Sequence, residues 1–149
     1  MRTNDSYTIP IKQKIEHKED DLSIIITASS YINRMKGWGP QILFRNKLGK
    51  SIIEHQILTL KHVYPKADIV VVTGLWTDKI SPLRGTDFRI VENQLFENTN
   101  ETEDIRLALN NITSRNVIII SGDMYFNKSA VANLLQQSCI VYDTKNQLA

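Results

Sequence analysis

Three polar segments of this chain each follow an apolar run of strand length. Ala28-Ser29-Ser30 follows the first run, Gly74 closes another, and Gly122-Asp123 closes a third. The first segment leads into residues 31–53, which contain no acid and the following cations: Arg34, Lys36, Arg45, Lys47 and Lys50. Hydroxyl groups, backbone N–H groups and cations are the groups with which proteins bind phosphate. These residue types therefore predict a phosphate-binding loop after Ala28.

The apolar runs alternate with segments of helical periodicity, so the chain is expected to alternate strands and helices. Apolar or β-branched runs predict five strands, at residues 22–28, 68–74, 88–91, 116–123 and 139–143. Ser51 and Glu54 have the spacing of a capping box, which predicts a helix that begins there and ends at Pro65. Two further helices are predicted over residues 102–112, with Leu109 on the apolar side, and over residues 127–137.

Buried strands that alternate with amphipathic helices indicate an α/β fold with a mostly parallel, Rossmann-like sheet. Helices would cover both faces of this sheet and give three layers, with right-handed crossovers. Such sheets bind their ligands at the carboxyl ends of the strands. This rule selects the loop after Ala28, the loop after Gly74 and the Gly122-Asp123 segment as the candidate site.

Length and composition indicate one soluble domain. The chain has 149 residues, of which 42% are hydrophobic and 23% charged, and a polar extension (residues 1–21) precedes a domain of residues 22–149. A net charge of +2 does not favour a nucleic-acid partner, and no apolar stretch approaches the ~20 residues of a membrane span. Cys139 is the single cysteine and no signal peptide is visible, which favours a reducing, cytoplasmic location.

The order of the motifs resembles that of the nucleotidyltransferases of the nucleotide-diphospho-sugar transferase fold. This family includes sugar-1-phosphate and phosphocholine nucleotidyltransferases and their molybdenum-cofactor guanylyltransferase relatives. Its first strand typically leads into A-G-G-x-G-T-R-M, then P-K, then G-K-P-L-I-E-H. Residues 28–35 of this chain read A-S-S-Y-I-N-R-M, residues 40–41 read P-Q, and residues 49–55 read G-K-S-I-I-E-H. Residues 92–100 resemble the family's E-N-x-x-Y…T-N stretch, and residues 117–126 resemble the strand that ends in its metal-binding aspartate.

The resemblance, which covers residues 22 to about 143, implies a role for each matching position. It implies a nucleotide site formed by Ala28, Ser29, Ser30, Arg34 and Gly74. It implies catalytic positions at Arg34, which would contact phosphate, and at Gln41, where the family has a lysine. Asp123 would bind Mg²⁺, the cofactor that the family implies, and the ion would bridge phosphate oxygens.

Several positions depart from the family pattern in ways that oppose catalysis. Ser29, Ser30 and Ile32 replace glycines, and a β-branched residue such as Ile32 resists positive φ and blocks close approach. Gln41 carries no charge, and the loss of one such contact in a preorganised site costs about 3 kcal/mol. The family's second half, with its acceptor pocket and second metal-binding aspartate, has no counterpart in the sequence. A truncated domain with impaired catalysis is therefore expected.

Two interpretations of an impaired domain stay open beside an active enzyme. The domain could bind a nucleotide or sugar nucleotide, which Arg34 and Asp123 would permit. It could instead be a scaffold for a protein partner, for which the polar N-terminal arm and Trp38 are candidates. An active enzyme would transfer a nucleoside monophosphate from a triphosphate to a phosphorylated sugar or aminoalcohol with Mg²⁺.

Overall fold

The computed structural model describes residues 21–30, 39–83, 88–132 and 134 of the chain. The strands are β1 (Leu22–Ala28), β2 (Asp68–Thr73), β3 (Arg89–Glu92) and β4 (Asn116–Ser121). The helices are α1 (Ile52–Val63), α2 (Thr77–Ile80), α3 (Glu101–Leu109) and α4 (Lys128–Val131). Short 3-10 turns cover Gln41–Leu43 and Ser81–Leu83. Within the described residues, no helix has the length and apolar character needed to cross a bilayer.

The four strands form one parallel sheet in the order β3-β2-β1-β4. β1 is an inner strand, in which Ile25 pairs with Val70 of β2 on one side and Ile119 of β4 on the other. The chain builds the sheet outward from β1 through β2 and β3, then crosses back to add β4 beside β1. The strand order therefore reverses between β1 and β4, and this is the switch point at which such sheets bind ligands.

β1 contributes apolar side chains to a core on each face of the sheet, because successive strand residues point to opposite faces. Ile24 and Ile26 pack in a cluster that also contains the buried apolar residues of α1 and Val131 of α4. Ile25 packs on the other face, in a cluster with Ala108 of α3. Helices therefore cover both faces, which confirms the predicted three-layer α/β fold.

α1 begins and ends where its sequence signals predict. The Ser51 hydroxyl accepts a hydrogen bond from the Glu54 backbone N–H at 3.3 Å, and the Glu54 carboxylate accepts one from the Ser51 backbone N–H at 2.8 Å. This reciprocal pair satisfies two donors that the first turn of a helix leaves without partners. The helix ends at Val63, before Pro65.

α3 is shorter than its apolar pattern predicts, and the prediction for Leu109 is wrong. The helix ends at Leu109, whose side chain is 46% exposed, rather than at residue 112. The Asn111 side-chain amide donates to the Leu107 carbonyl at 2.9 Å, and such local bonds compete with continuation of a helix. The buried residues of α3 are Asp104 and Ala108.

The bounds of three strands also differ from the predicted ones, and several predictions cannot be compared. β2 ends at Thr73, one residue early, and β3 spans Arg89–Glu92, one residue later than predicted at both ends. β4 ends at Ser121, so that Gly122 and Asp123 lie in a turn. The predicted strand over residues 139–143 lies outside the described residues. The N-terminal extension up to residue 20 and the loop of residues 31–38 also lie outside them, as does nearly all of the predicted 127–137 helix beyond Ala132.

Candidate functional site

An open cleft lies at the switch point, where the carboxyl ends of β1 and β4 meet the 3-10 turn at Gln41–Leu43. It opens to solvent and has a cavity volume of about 30 Å³. Four residues that the sequence predicts for the site line the cleft: Ala28, Ser30, Gln41 and Asp123. The fold thus brings together three segments that are distant in the chain.

Gly122 allows the turn after β4 to lie directly against β1. Its backbone N–H donates to the Thr27 carbonyl at 2.7 Å. A Cβ at this position would lie 2.7 Å from the same carbonyl oxygen and 3.1 Å from the Ala28 Cβ. A larger residue would push the turn away from β1, so glycine is needed here to keep Asp123 at the cleft.

The Asp123 carboxylate is exposed and is oriented by its neighbours. Its Oδ1 accepts a hydrogen bond from the Ser121 hydroxyl at 2.7 Å. The fully buried Gln56 side chain of α1 donates to the Ser121 carbonyl at 3.1 Å and to the Met124 carbonyl at 2.7 Å, on either side of Asp123. Sequence reasoning missed Gln56, although a glutamine beside the apolar stripe of a helix is a signal for a buried polar contact.

His55, the residue before Gln56, also holds this turn. Its Nε2–H donates to the Phe126 carbonyl at 2.7 Å, and its ring stacks on Tyr125 with centroids 4.0 Å apart. Because the Phe126 carbonyl can only accept, the proton is assigned to Nε2. His55 therefore has the packing role that is the ordinary expectation for a histidine within a helix.

The Ser29 hydroxyl is directed at α3. It donates to Oδ2 of the buried Asp104 at 2.6 Å, and the Asn93 side-chain amide donates to the other carboxylate oxygen at 2.8 Å. Thr27 makes a similar bond, since its hydroxyl donates to Oε1 of Glu101 at 2.6 Å. Sequence reasoning missed both acids, whose place in the first turn of α3 is typical of residues that only complement the helix dipole.

Gly74, another predicted site residue, is not among the described residues that line the cleft. Gly74 is buried, and a Cβ there would lie 2.8 Å from the Ser29 carbonyl oxygen and 2.8 Å from Cγ of Phe96. Close packing between the ends of β1 and β2 therefore explains this glycine, and its contact with a nucleotide stays a prediction. Arg34 lies outside the described residues.

The described cleft residues suit a Mg²⁺ ion that arrives together with phosphate. Asp123 is the one carboxylate among the described lining residues, and none of these residues is a cation. The described part of the chain has no group of three or more His, Cys, Asp or Glu side chains that could hold a metal. Mg²⁺ commonly binds through one or two carboxylates, with substrate phosphates and water as the other ligands. Asp123 fits that arrangement.

Comparison with protein families now adds to this geometry. The model of the MobA-like NTP transferase domain matches residues 24–147. The chain belongs to this family. The match includes most of β1, the cleft and the turn that carries Asp123, so the predicted family is confirmed. A search of curated proteins gives no match.

Several solved structures that share the fold of this MobA-like domain are described as nucleotidyltransferases. One is a nucleotidyl transferase from Methanothermobacter thermautotroptrophicus, with a TM-score of 0.63 and 15% identity over 76% of this chain and 56% of that one. Another is the CTP:phosphocholine cytidylyltransferase of Streptococcus pneumoniae, with a TM-score of 0.60 and 22% identity over 73% of this chain and 50% of that one. A third is the inositol-1-phosphate CTP transferase of T. maritima, with a TM-score of 0.58 and 20% identity over 73% of this chain and 46% of that one. The chain spans about half the length of these structures, and the likeness concerns the fold.

Proposed function

We propose that the cleft binds the phosphate groups of a nucleotide or sugar nucleotide together with Mg²⁺, and that this domain does not transfer nucleotides efficiently. The observation that carries the proposal is the cleft itself, in which Ser30 and the end of β1 face Asp123. One side offers a hydroxyl and backbone, and the other offers a carboxylate for the cation. We place this binding in the cytoplasm, because a single cysteine cannot form an internal disulfide.

The charge of the cleft supports a dependence on the metal. The described lining residues contribute one carboxylate and no cation, so a bare triphosphate would meet net repulsion there. Bound Mg²⁺ would neutralise phosphate charge and connect it to Asp123. Arg34, at the position of the family's phosphate-contacting arginine, is proposed to add a cation.

Gln41 supports binding without efficient transfer. Gln41 lines the cleft, at the position where the family has a lysine. Phosphoryl chemistry depends on preorganised charge at the reacting phosphorus, and one missing donor or cation lowers a rate by about 10²- to 10³-fold. Binding depends less on any one contact, so it survives a change that removes most of the catalysis.

The names of the structural neighbours suggest which ligands to use. Two of them are described as acting with CTP, one on phosphocholine and one on inositol-1-phosphate. We therefore include CTP and these phosphorylated alcohols among the compounds to be tested. Their place in the function of this chain is part of the proposal.

The test is a thermal-shift panel of ATP, GTP, CTP, UTP and UDP-glucose, each with Mg²⁺ and with EDTA. We expect at least one compound to raise Tm with Mg²⁺ and to lose most of the effect in EDTA, since ligands stabilise the folded state that binds them. Asp123→Asn should remove the Mg²⁺-dependent part. Asp78→Asn, a matched change at an exposed acid outside the cleft, should leave it intact.

Contrary outcomes separate the parts of the proposal. Pyrophosphate release from CTP with phosphocholine, inositol-1-phosphate or a sugar phosphate would show an active nucleotidyltransferase. Absence of any thermal shift at millimolar ligand would leave the protein-interaction scaffold as the remaining function.

A further inference from the structure

We propose that Ser29 and Asp104 are positioning residues of the cleft. The buried Asp104 carboxylate holds the Ser29 side chain against α3, so that the backbone after β1 faces the bound phosphate. This inference rests on the proposed function, because it concerns how the same cleft holds its ligand.

The contact between these two residues is short and buried. Ser29 is 7% exposed, Asp104 is 1% exposed, and their oxygens are 2.6 Å apart. An ionised carboxylate only accepts, so the serine hydroxyl donates. Hydrogen bonds to a charged group in a buried site are among the stronger ones in proteins. The link therefore fixes the rotamer of Ser29 and the backbone that carries it.

Asp104 is itself held in place by Asn93, which follows β3 and is bonded to the end of β2. The Asn93 amide donates to its second carboxylate oxygen at 2.8 Å and to the Thr99 hydroxyl at 3.0 Å. The Asn93 backbone N–H donates to the Thr73 carbonyl, at the end of β2, at 2.8 Å. The carboxylate thus connects the loop after β1 to the loop after β3 and to the end of β2, and it is a rigid anchor rather than a mobile surface group.

A second hydroxyl–carboxylate pair reinforces the first. Thr27 lies in β1 and Ser29 directly follows the strand, two residues later, and both hydroxyls point to α3. Glu101 and Asp104 are three residues apart and lie on one face of α3. The pairs Thr27–Glu101 and Ser29–Asp104, both 2.6 Å long, join the end of β1 to the first turn of α3 at two points.

This arrangement gives the serine at position 29 a role that a glycine could not have. Its hydroxyl is used on the α3 side, and Ala28 and Ser30 line the cleft on the other side. A glycine would leave Asp104 with one fewer donor and would free the backbone to adopt more conformations. Serine in place of the family glycine thus restricts the backbone at residue 29 through the hydrogen bond to Asp104.

The first experiment compares two buried serines near opposite ends of β1, Ser23 within the strand and Ser29 directly after it. Ser29→Ala removes the bond to Asp104, and Ser23→Ala, the matched control, removes the 2.9 Å bond to Ser114 at the opposite end of β1. Isothermal titration calorimetry with MgCTP and MgGTP measures Kd for each protein. We expect Ser29→Ala to weaken the Kd about tenfold, and Ser23→Ala to change it less than about twofold, although both variants lose stability.

A second comparison separates positioning from simple degeneration of the loop. If serine only obstructs the site, Ser29→Gly should tighten binding; if it positions the loop, Ser29→Gly should weaken binding as Ser29→Ala does. Asp104→Asn keeps the shape of the side chain but places an NH₂ group opposite one of its two donors, the Ser29 hydroxyl or the Asn93 amide. In that background Ser29→Ala should cause little further loss, because the two residues act through one contact.

The outcomes distinguish this inference from the proposed function. If the wild-type protein binds no compound of the thermal-shift panel, both are wrong; if it binds one other than CTP or GTP, that compound is used in the calorimetric comparison. If it binds and Ser29→Ala matches Ser23→Ala, or if Ser29→Gly binds more tightly than wild type, only the positioning role is wrong. The serine comparison decides the question without Asp104→Asn if that variant does not fold.

Discussion

At the scale of residues, Gln41 adds no charge to the cleft in which we propose that phosphate binds. Its side chain is neutral, and the described residues around it supply one carboxylate and no cation. The family lysine at this position would add a positive charge beside the bound phosphates. Under the proposed function, this side chain is one of the positions at which binding and catalysis separate, and it can be exchanged.

We predict that Gln41→Lys binds MgCTP or MgGTP several-fold more tightly than wild type. One added charge about 4 Å from phosphate contributes about 1 kcal/mol in a solvated site, which corresponds to roughly fivefold. The gain should shrink as salt is raised, because an exposed interaction is screened. Adding Ile32→Gly should extend the gain by opening the loop to closer approach.

Gln94→Lys is the matched control for this prediction. Gln94 is exposed and lies outside the cleft lining, so the variant has the same net charge without a cation near the site. Equal affinities for Gln41→Lys and Gln94→Lys would mean that phosphate does not bind near residue 41.

Single residues of the site differ in how well the sequence predicts them. Ala28 and Asp123 follow apolar runs, and the ends of parallel strands meet at one edge of a sheet, so their proximity could be predicted. The partner of the Ser29 hydroxyl could not, because Asp104 is 75 positions away in the chain. A local pattern assigns Asp104 to a helix but does not say which strand residue it meets.

At the scale of elements, α1 connects a well-formed N-terminus to the turn that carries Asp123. The capping box was predictable from Ser51 and Glu54, because it depends on residues within one helical turn. The contacts of His55 and Gln56 with the turn after β4 were not predictable. Helical periodicity shows which face is buried, but it does not identify the carbonyl groups that this face meets.

Glu54 makes the stability of α1 depend on pH. The Ser51 hydroxyl, followed by the Ser51 backbone N–H, lowers the pKa of the Glu54 carboxyl below its ordinary value of 4.5. A pKa lowered by folding means that the ionised form stabilises the folded state. That contribution is complete above the pKa of the unfolded chain and is lost as pH falls through the folded value.

We therefore predict that the difference in unfolding free energy between wild type and Glu54→Gln is largest near neutral pH and shrinks below about pH 4.5. Ser51→Ala should cost about 1 kcal/mol at neutral pH. Urea unfolding at several pH values measures both effects. Glu92→Gln, at an exposed residue of β3, is the control; a difference for Glu54→Gln that stays constant down to pH 3 would contradict the prediction.

At the scale of the whole molecule, the sheet has its most protected strand beside the cleft. Ile24, Ile25 and Ile26 of β1 are 0% exposed, and β1 pairs along its length with β2 and β4. The strands and the α/β class were predictable from the apolar runs. The pairing of β4 with β1 was not, because all four strands have similar apolar character and only the complete set of crossovers fixes their order.

We predict that backbone amides of β1 exchange with deuterium more slowly than those of β3. Opening β1 requires separation of two strand neighbours and exposure of both cores, whereas β3 is a four-residue strand with one described neighbour and no buried residue. Hydrogen–deuterium exchange of the native protein measures this difference. Amides of Arg89–Glu92 that exchange as slowly as those of Leu22–Ala28 would contradict it.

The strand order also has a consequence for synthesis on the ribosome. Thr27 of β1 pairs with Ser121 of β4, so 94 residues separate the two sides of that ladder. At about 5–20 residues per second, one edge of the nascent β1 lacks its partner for roughly 5–20 s. The exposed edge is the sequence Leu-Ser-Ile-Ile-Ile-Thr-Ala, a type of segment that associates readily with other chains. The acids Glu19, Asp20 and Asp21 directly precede it, and such charges oppose aggregation until β4 leaves the exit tunnel.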